Sequence, residues 1–290
     1  MSIAQLVRVA LVLSVLLIVL SVALRCTPRT VTSLLRNPSL LVRSLLSMNV
    51  LLPLFAALMV ALVELRPAIE IALVALSISP VPPFLPRKQL ALVADQEYVI
   101  GLLGVSSLLS IVLAPLTVEL VGALSTRGFS LAPLAIAKIV AMTVLVPFLF
   151  GMIVRRVSPA FAERASPLAD RIGIVLLIIA IVPLIVKLWP AMMSLLGSGT
   201  GLAIVAFTGV GLALGHMLGG PDSDHQTVLA LATATRHPGV ALTIAAANFP
   251  DETLMAPALM LYLLVSAIVS APYVRWRQNL KKGLPPRLSP

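Results

Sequence analysis

Long apolar runs follow one another along the chain and leave only short polar gaps between them. A helix needs about 20 predominantly apolar residues to cross a hydrocarbon core about 30 Å thick. The strands of a membrane barrel alternate in polarity, whereas these runs are apolar on every face. We therefore predict an all-α integral membrane protein with about nine transmembrane helices. The predicted spans are residues 5–24, 38–64, 67–92, 98–124, 131–154, 171–195, 200–218, 223–248 and 253–274.

Charged residues, which make up only 11% of the chain, argue against other classes of protein. The net charge is +10, but the basic residues lie mostly in the gaps between apolar runs, and aromatic residues are only 4%. A nucleic-acid partner would need a basic stripe and stacking platforms, so we expect none. The lone Cys26 excludes an internal disulfide, and the three histidines show no metal-ligand spacing. Without a phosphate-binding loop or a reactive set of side chains, we expect no metal, no cofactor and no enzyme activity.

The placement of Lys and Arg predicts the orientation in the bilayer. Fourteen basic residues lie on the side of the membrane that holds the C-terminus, and four lie on the opposite side: Arg8, Arg66, Arg127 and Lys187. Basic residues accumulate in cytoplasmic loops. We expect a multi-pass cell-membrane protein with its N-terminus outside, its C-terminus in the cytoplasm, and a basic cytoplasmic tail over 276–290.

Two predicted spans contain segments that cannot be continuous helix. The third span holds four prolines within seven residues, and proline removes a backbone donor and clashes with the preceding turn; they are Pro80, Pro82, Pro83 and Pro86. The eighth holds Thr235-Arg236-His237-Pro238-Gly239. An ionised arginine at mid-membrane depth costs at least about 2.5–3.5 kcal/mol, and such residues are usually functional.

The two breaks lie at similar distances into their halves of the chain. Pro80 follows the start of the second span, Pro38, by 42 residues, and Pro238 follows the start of the seventh, Thr200, by 38. Because those spans start on opposite sides, we predict an inverted repeat with two broken helices crossing near the midplane. Such a pair indicates a transporter's substrate site.

The sequence resembles the bile acid:sodium symporter family of the bile/arsenite/riboflavin transporter superfamily. The resemblance rests on Arg36-Asn37-Pro38 before the first break, on 236–242, and on the small-residue run 245–249. It implies a panel domain (1–30 and 131–198) that rocks against a core domain (31–130 and 199–275). It also implies a secondary transporter with alternating access in a bacterial cytoplasmic membrane, and the arginine in the second break predicts a small organic anion as the substrate.

The chain departs from the sodium-coupled members at the positions of their ion ligands. Where they carry glutamate, glutamine and asparagine in the second crossing helix, this sequence has Ala232, Arg236 and His237. Their serine–asparagine pair in the first becomes Leu85-Pro86, and of two hydroxyls on the next span only Ser107 remains, beside Leu103. A fixed guanidinium would repel sodium, so we predict that the usual two-sodium mechanism is absent.

Our hypothesis is that Arg236 supplies the positive charge that sodium supplies elsewhere, since arginine stays protonated and binds carboxylates bidentately. The alternative is a structural arginine that satisfies carbonyls freed by the prolines. His237 either takes up a proton with the substrate or is a satisfied buried residue. The other candidate substrate-binding residues are Ser79, Pro80, Thr233, Thr235, Ser107 and Asn49. Two alternative functions stay open: a sodium symporter with a rearranged ion site, and a channel-like or structural membrane protein. The sequence also leaves open whether the protein forms a homo-oligomer.

Overall fold

The computed structural model describes residues 3–79, 81, 98–106, 109, 112–113, 116, 134, 138, 141–197 and 199–282. Throughout these residues the regular structure is helical, which confirms the all-α prediction. The helices are α1 Ile3–Arg25, α2 Pro28–Leu35, α3 Pro38–Leu46, α4 Leu52–Leu62, α5 Pro67–Ile78, α6 Val146–Val157, α7 Pro159–Leu195, α8 Thr200–Leu218, α9 Ser223–Ala234, α10 Pro238–Asn248 and α11 Met255–Lys282. Two π-helical turns, Ser47–Leu51 and Ala141–Leu145, precede α4 and α6. Residues 98–106 are helical as well.

Each of the nine predicted spans contains helix in the part of the chain that the structure describes. Four helices there are long and apolar enough to cross a membrane by length and composition: Pro38–Leu62, Pro159–Leu195, Thr200–Leu218 and Met255–Lys281. The first of these joins α3, the π turn and α4 into one rod. Asn37 caps its start by accepting from the Leu40 N–H, with Pro38 in the first turn.

Helix α7 begins at Pro159, well before the predicted start of the sixth span at residue 171, and runs for 37 residues. A helix of that length is about 55 Å long, much longer than one hydrocarbon core is thick. Its charged first third can therefore lie outside the membrane. Hydropathy detects only the embedded part of such a helix. For the same reason α11 continues past the predicted end at 274 to Lys282.

Helix α1 packs against α6 and α7. Two glycines allow the close approach: a Cβ on Gly151 would meet Ala23, and one on Gly173 would lie 2.7 Å from Ile18 Cγ1. Small residues are what let membrane helices pack at short distances. These three helices are those assigned to the panel by the resemblance, but the division into panel and core stays a prediction.

A second body of contacts surrounds the two breaks. Helices α4, α5, α8, α10 and α11 share one apolar core, with Leu73, Phe207, Ala241 and Tyr262 among its fully buried members. Helix α8 also packs closely along α9. Three glycines in and directly after α8, spaced four residues apart, face the backbone of α9: Gly211, Gly215 and Gly219. This core positions the chain ends at the breaks.

Candidate functional site

The end of α5 and the interruption between α9 and α10 lie side by side in the part of the chain that the structure describes. Helix α5 stops at Ser79, whose ψ of 147° is extended. Helix α9 ends at Ala234, and α10 begins at Pro238. Between them, the backbone of Thr235 and of His237 is extended. Because α5 packs against α10, the side chain of Arg236 reaches the end of α5.

The Ser79 carbonyl has no main-chain donor within a helix, and the sequence explains why. A helix carbonyl accepts from the N–H three or four positions on, and here those positions are Pro82 and Pro83. Proline has no N–H. The Arg236 Nη1 group donates to this carbonyl at 3.1 Å, so the guanidinium replaces the missing main-chain donor.

The Met48 carbonyl also lacks a main-chain donor, in this case because of the π turn in the second span. The Leu52 N–H, which would serve Met48 in an α-helix, donates instead to Ser47 O. In the π register the donor to Met48 would be residue 53, which is Pro53. The Arg236 Nη2 group donates to Met48 O. One side chain therefore satisfies two carbonyls that prolines leave without donors, as buried carbonyls require.

The backbone around Arg236 is held by Tyr262 of α11. Its hydroxyl accepts from the Arg236 N–H at 2.9 Å and donates to Ala234 O at 2.8 Å, and so bridges the gap in the helix ladder. Arg236 is 2% exposed. Within the described residues no carboxylate pairs with it, and its Nε has no hydrogen-bond partner there. The site therefore holds a positive charge that is balanced by carbonyl dipoles.

His237 is the N-cap of α10. Its Nδ1 accepts from the Val240 N–H at 3.3 Å, so Nδ1 is unprotonated and the neutral ring carries its proton on Nε2. Taking up a second proton at Nδ1 would break this cap. The arrangement gives His237 a structural task, which was the alternative to a proton relay.

The hydroxyls of the other predicted site residues contact neighbouring helix. Thr233 Oγ1 and Ser47 Oγ lie 2.8 Å apart and join α9 to the π turn. The Thr235 and Ser79 hydroxyls donate to carbonyls of their own helices. Asn49, half-buried, donates to Leu45 O at 3.4 Å. The first two residues of α10 are Pro238 and Gly239. The remaining predicted site residues lie outside the described residues: Pro80, Pro82, Pro83, Pro86 and Ser107.

Sequence reasoning missed three members of this site, Ser47, Met48 and Tyr262. The first two act through a π turn, and π turns are frequent at functional sites. Pro53 in the middle of the second predicted span was the available signal. Nothing in the sequence marks Tyr262, because its bonds to Ala234 and Arg236 depend on the tertiary fold.

The described bundle contains one helix that is interrupted, between α9 and α10, and interrupted helices of this kind form the substrate sites of many secondary transporters. The sequence matches the family described as the Sodium Bile acid symporter family over residues 12–193, and the chain belongs to that family. No curated protein matches it. Membership agrees with a multi-pass membrane protein that transports rather than catalyses. The match ends before α8, so Arg236 and the second break lie beyond it.

Proposed function

We propose that the protein is a secondary transporter that moves a small organic anion by alternating access between the panel (1–30 and 131–198) and the core (31–130 and 199–275), without the two-sodium site. The observation that carries this proposal is the binding of the Arg236 guanidinium to Ser79 O and Met48 O. The rest of the proposal rests on family membership and on charge.

Carbonyls freed by broken helices are the usual ligands of coupling sodium ions in transporters. In this chain Ser79 O at the end of α5 and Met48 O in the π turn accept from a guanidinium, which stays charged at all physiological pH values. A sodium ion at the same oxygens would compete with Arg236 and be repelled by it. Arg236 therefore acts as a tethered cation in place of a soluble one.

The same charge favours an anion as the substrate. The N-terminus of α10 begins two residues after Arg236, and helix N-termini carry a partial positive charge. Both fields add near the breaks, in surroundings where water screens little. The acceptors of Arg236 are neutral carbonyls, so they offset its charge without removing it, and a carboxylate or sulfonate would complete the balance.

Thermal stabilisation of the purified protein tests the proposal. Pyruvate, benzoate, benzenesulfonate and taurocholate serve as probes, each in sodium and in potassium buffer. We expect at least one to raise the unfolding midpoint equally in both salts. The Arg236→Gln variant should lose this rise, and Arg236→Lys, which keeps the charge, should retain part of it. Arg155→Gln is the matched control, because it removes one charge at a surface ion pair with Glu163.

The outcomes separate the candidate functions. Equal stabilisation of a folded Arg236→Gln variant would overturn the role of Arg236. Stabilisation that appears only with sodium would restore a sodium-coupled symporter with a rearranged ion site. Saturable counterflow in proteoliposomes distinguishes a carrier from a channel, since only a carrier exchanges labelled for unlabelled substrate at zero net flux.

A further inference from the structure

Arg236 is tied to three separate elements of the bundle, two through its guanidinium and one through its main-chain N–H. It bonds Ser79 O after α5 and Met48 O in the π turn, while its own N–H bonds Tyr262 of α11. A cation held in this way stays with the protein when the substrate leaves. A sodium ion in the same place would leave with the substrate and carry charge across the membrane.

Among the residues that the structure describes, the titratable groups near the breaks supply no replacement for that moving charge. His237 uses Nδ1 to cap α10, so a coupling proton would cost the cap. Among the described carboxylates, Glu70 is buried but lies in the first turn of α5. It is separated from Ser79 by nine residues, a helix rise of about 13 Å. Asp224, also buried, is paired with Lys281 at 2.8 Å.

We infer that the carrier is an electrogenic uniporter, in which each cycle moves the charge of the organic anion alone. The inference rests on the proposed function. It does not depend on which part moves: either the anion crosses the field beside a fixed Arg236, or the empty carrier returns with its positive charge. Both routes displace one net negative charge outward for each monoanion exported.

The direction of transport follows from this charge balance. An inside-negative potential of about 100 mV corresponds to roughly a fiftyfold concentration ratio for one charge. Such a membrane drives a monoanion outward in a uniporter. A symporter that carries two sodium ions with each monoanion moves one net positive charge inward, so the same potential favours uptake. The exchange of a soluble cation for Arg236 thus favours export over uptake.

Proteoliposomes with a clamped potential test the inference on the wild-type protein. The same four anions are supplied as labelled probes in sodium-free medium at equal pH, and potassium gradients with valinomycin set the potential. Protein-free liposomes correct for passive leak. At inside-positive potential we expect accumulation approaching fiftyfold per 100 mV for a transported monoanion. At inside-negative potential we expect accelerated efflux. Sodium or pH gradients at zero potential should produce no accumulation.

Counterflow at zero potential keeps the inference distinct from the function on which it rests. Counterflow together with accumulation driven by sodium or pH, or flux that ignores the potential, would overturn uniport and leave the anion carrier standing. Absence of counterflow for all four probes would overturn both. Glu70→Gln separates the remaining proton route: flux that loses a pH dependence in this variant would assign the coupling proton to Glu70 and contradict the inference.

Discussion

Gly215 of α8 lies directly against Ala230 of α9, so that a Cβ on Gly215 would stand 2.5 Å from the Ala230 Cα atom. Real Cβ atoms do not approach backbone so closely, and backbone cannot move aside as a flexible side chain does. The contact fastens α9, and with it the second break, to the long helix α8. The last residue of α9, Ala234, makes a similar contact with Gly211.

The first prediction concerns this contact. Gly215→Ala should lower the unfolding free energy by about 1–3 kcal/mol, the usual cost of overpacking, despite the better helix propensity of alanine. Gly209→Ala is the matched control on the same helix, because a Cβ there meets nothing within 4 Å. The control should be neutral or gain up to about 1 kcal/mol. Thermal unfolding in detergent measures both, and equal midpoints would show that the two helices are not in close contact.

The second prediction concerns the hydroxyl that bridges the break. Tyr262→Phe removes a donor to Ala234 O and an acceptor for the Arg236 N–H, while the ring keeps its packing on Phe207. Leaving two buried backbone groups without partners should cost on the order of 2–4 kcal/mol. Tyr98→Phe, which loses a single bond to Ser44, should cost less. If the two substitutions lower the stability against thermal unfolding equally, the Tyr262 hydroxyl does not stabilise the break more than an ordinary hydrogen bond would.

Much of the fold could be predicted because a bilayer imposes one strong physical condition, that spans be apolar and helical. The start of α7 and the end of α11 escaped prediction, since a helix that leaves the membrane no longer has to be apolar. Helix α2 was missed for a related reason, as it has only eight residues and carries three threonine or serine side chains.

The site was predictable where a residue type conflicts with its location. Arg236 is a charge in mid-span, and the prolines after Ser79 forbid a helix, so both could be found in the sequence. The partners could not, because which carbonyl meets a guanidinium depends on how helices pack. The Met48 carbonyl is the clearest case: its lack of a donor arises from a π turn and from Pro53 together.

The third prediction tests that combination by a double-mutant cycle. Pro53→Ala restores an N–H at the position that can serve Met48 O in the π register. Arg236→Gln should therefore destabilise the Pro53→Ala protein less than it destabilises the wild type, by an interaction energy of about 0.5–3 kcal/mol. Thermal or denaturant unfolding of the four proteins gives the cycle. A cost of Arg236→Gln that is the same in both backgrounds would contradict the assignment of Met48 O to Arg236.

The fourth prediction uses the chain's single cysteine. Cys26 follows α1, is 1% exposed, and burial raises the pKa of its thiol to about 11. Maleimides react with the thiolate, which is scarce at pH 7 when the pKa is that high. We expect Cys26 to stay unlabelled in the native protein and to label fully after denaturation in SDS. Fast labelling of native protein would mean that the region between α1 and α2 opens.

If Cys26 does not react with maleimides in the native protein, the orientation of the chain in the membrane can be measured with single introduced cysteines, and Cys26 need not be removed first. Val63, which directly follows α4, is 45% exposed, and Val157, the last residue of α6, is 78% exposed. The excess of basic residues predicts that Val157, beside Arg155 and Arg156, faces the cytoplasm and that Val63 faces outside. An impermeant maleimide added to whole cells should therefore label Val63→Cys and spare Val157→Cys, which should react only in inverted vesicles. The reverse pattern would invert the topology, and labelling of both from one side would contradict the predicted number of spans between them.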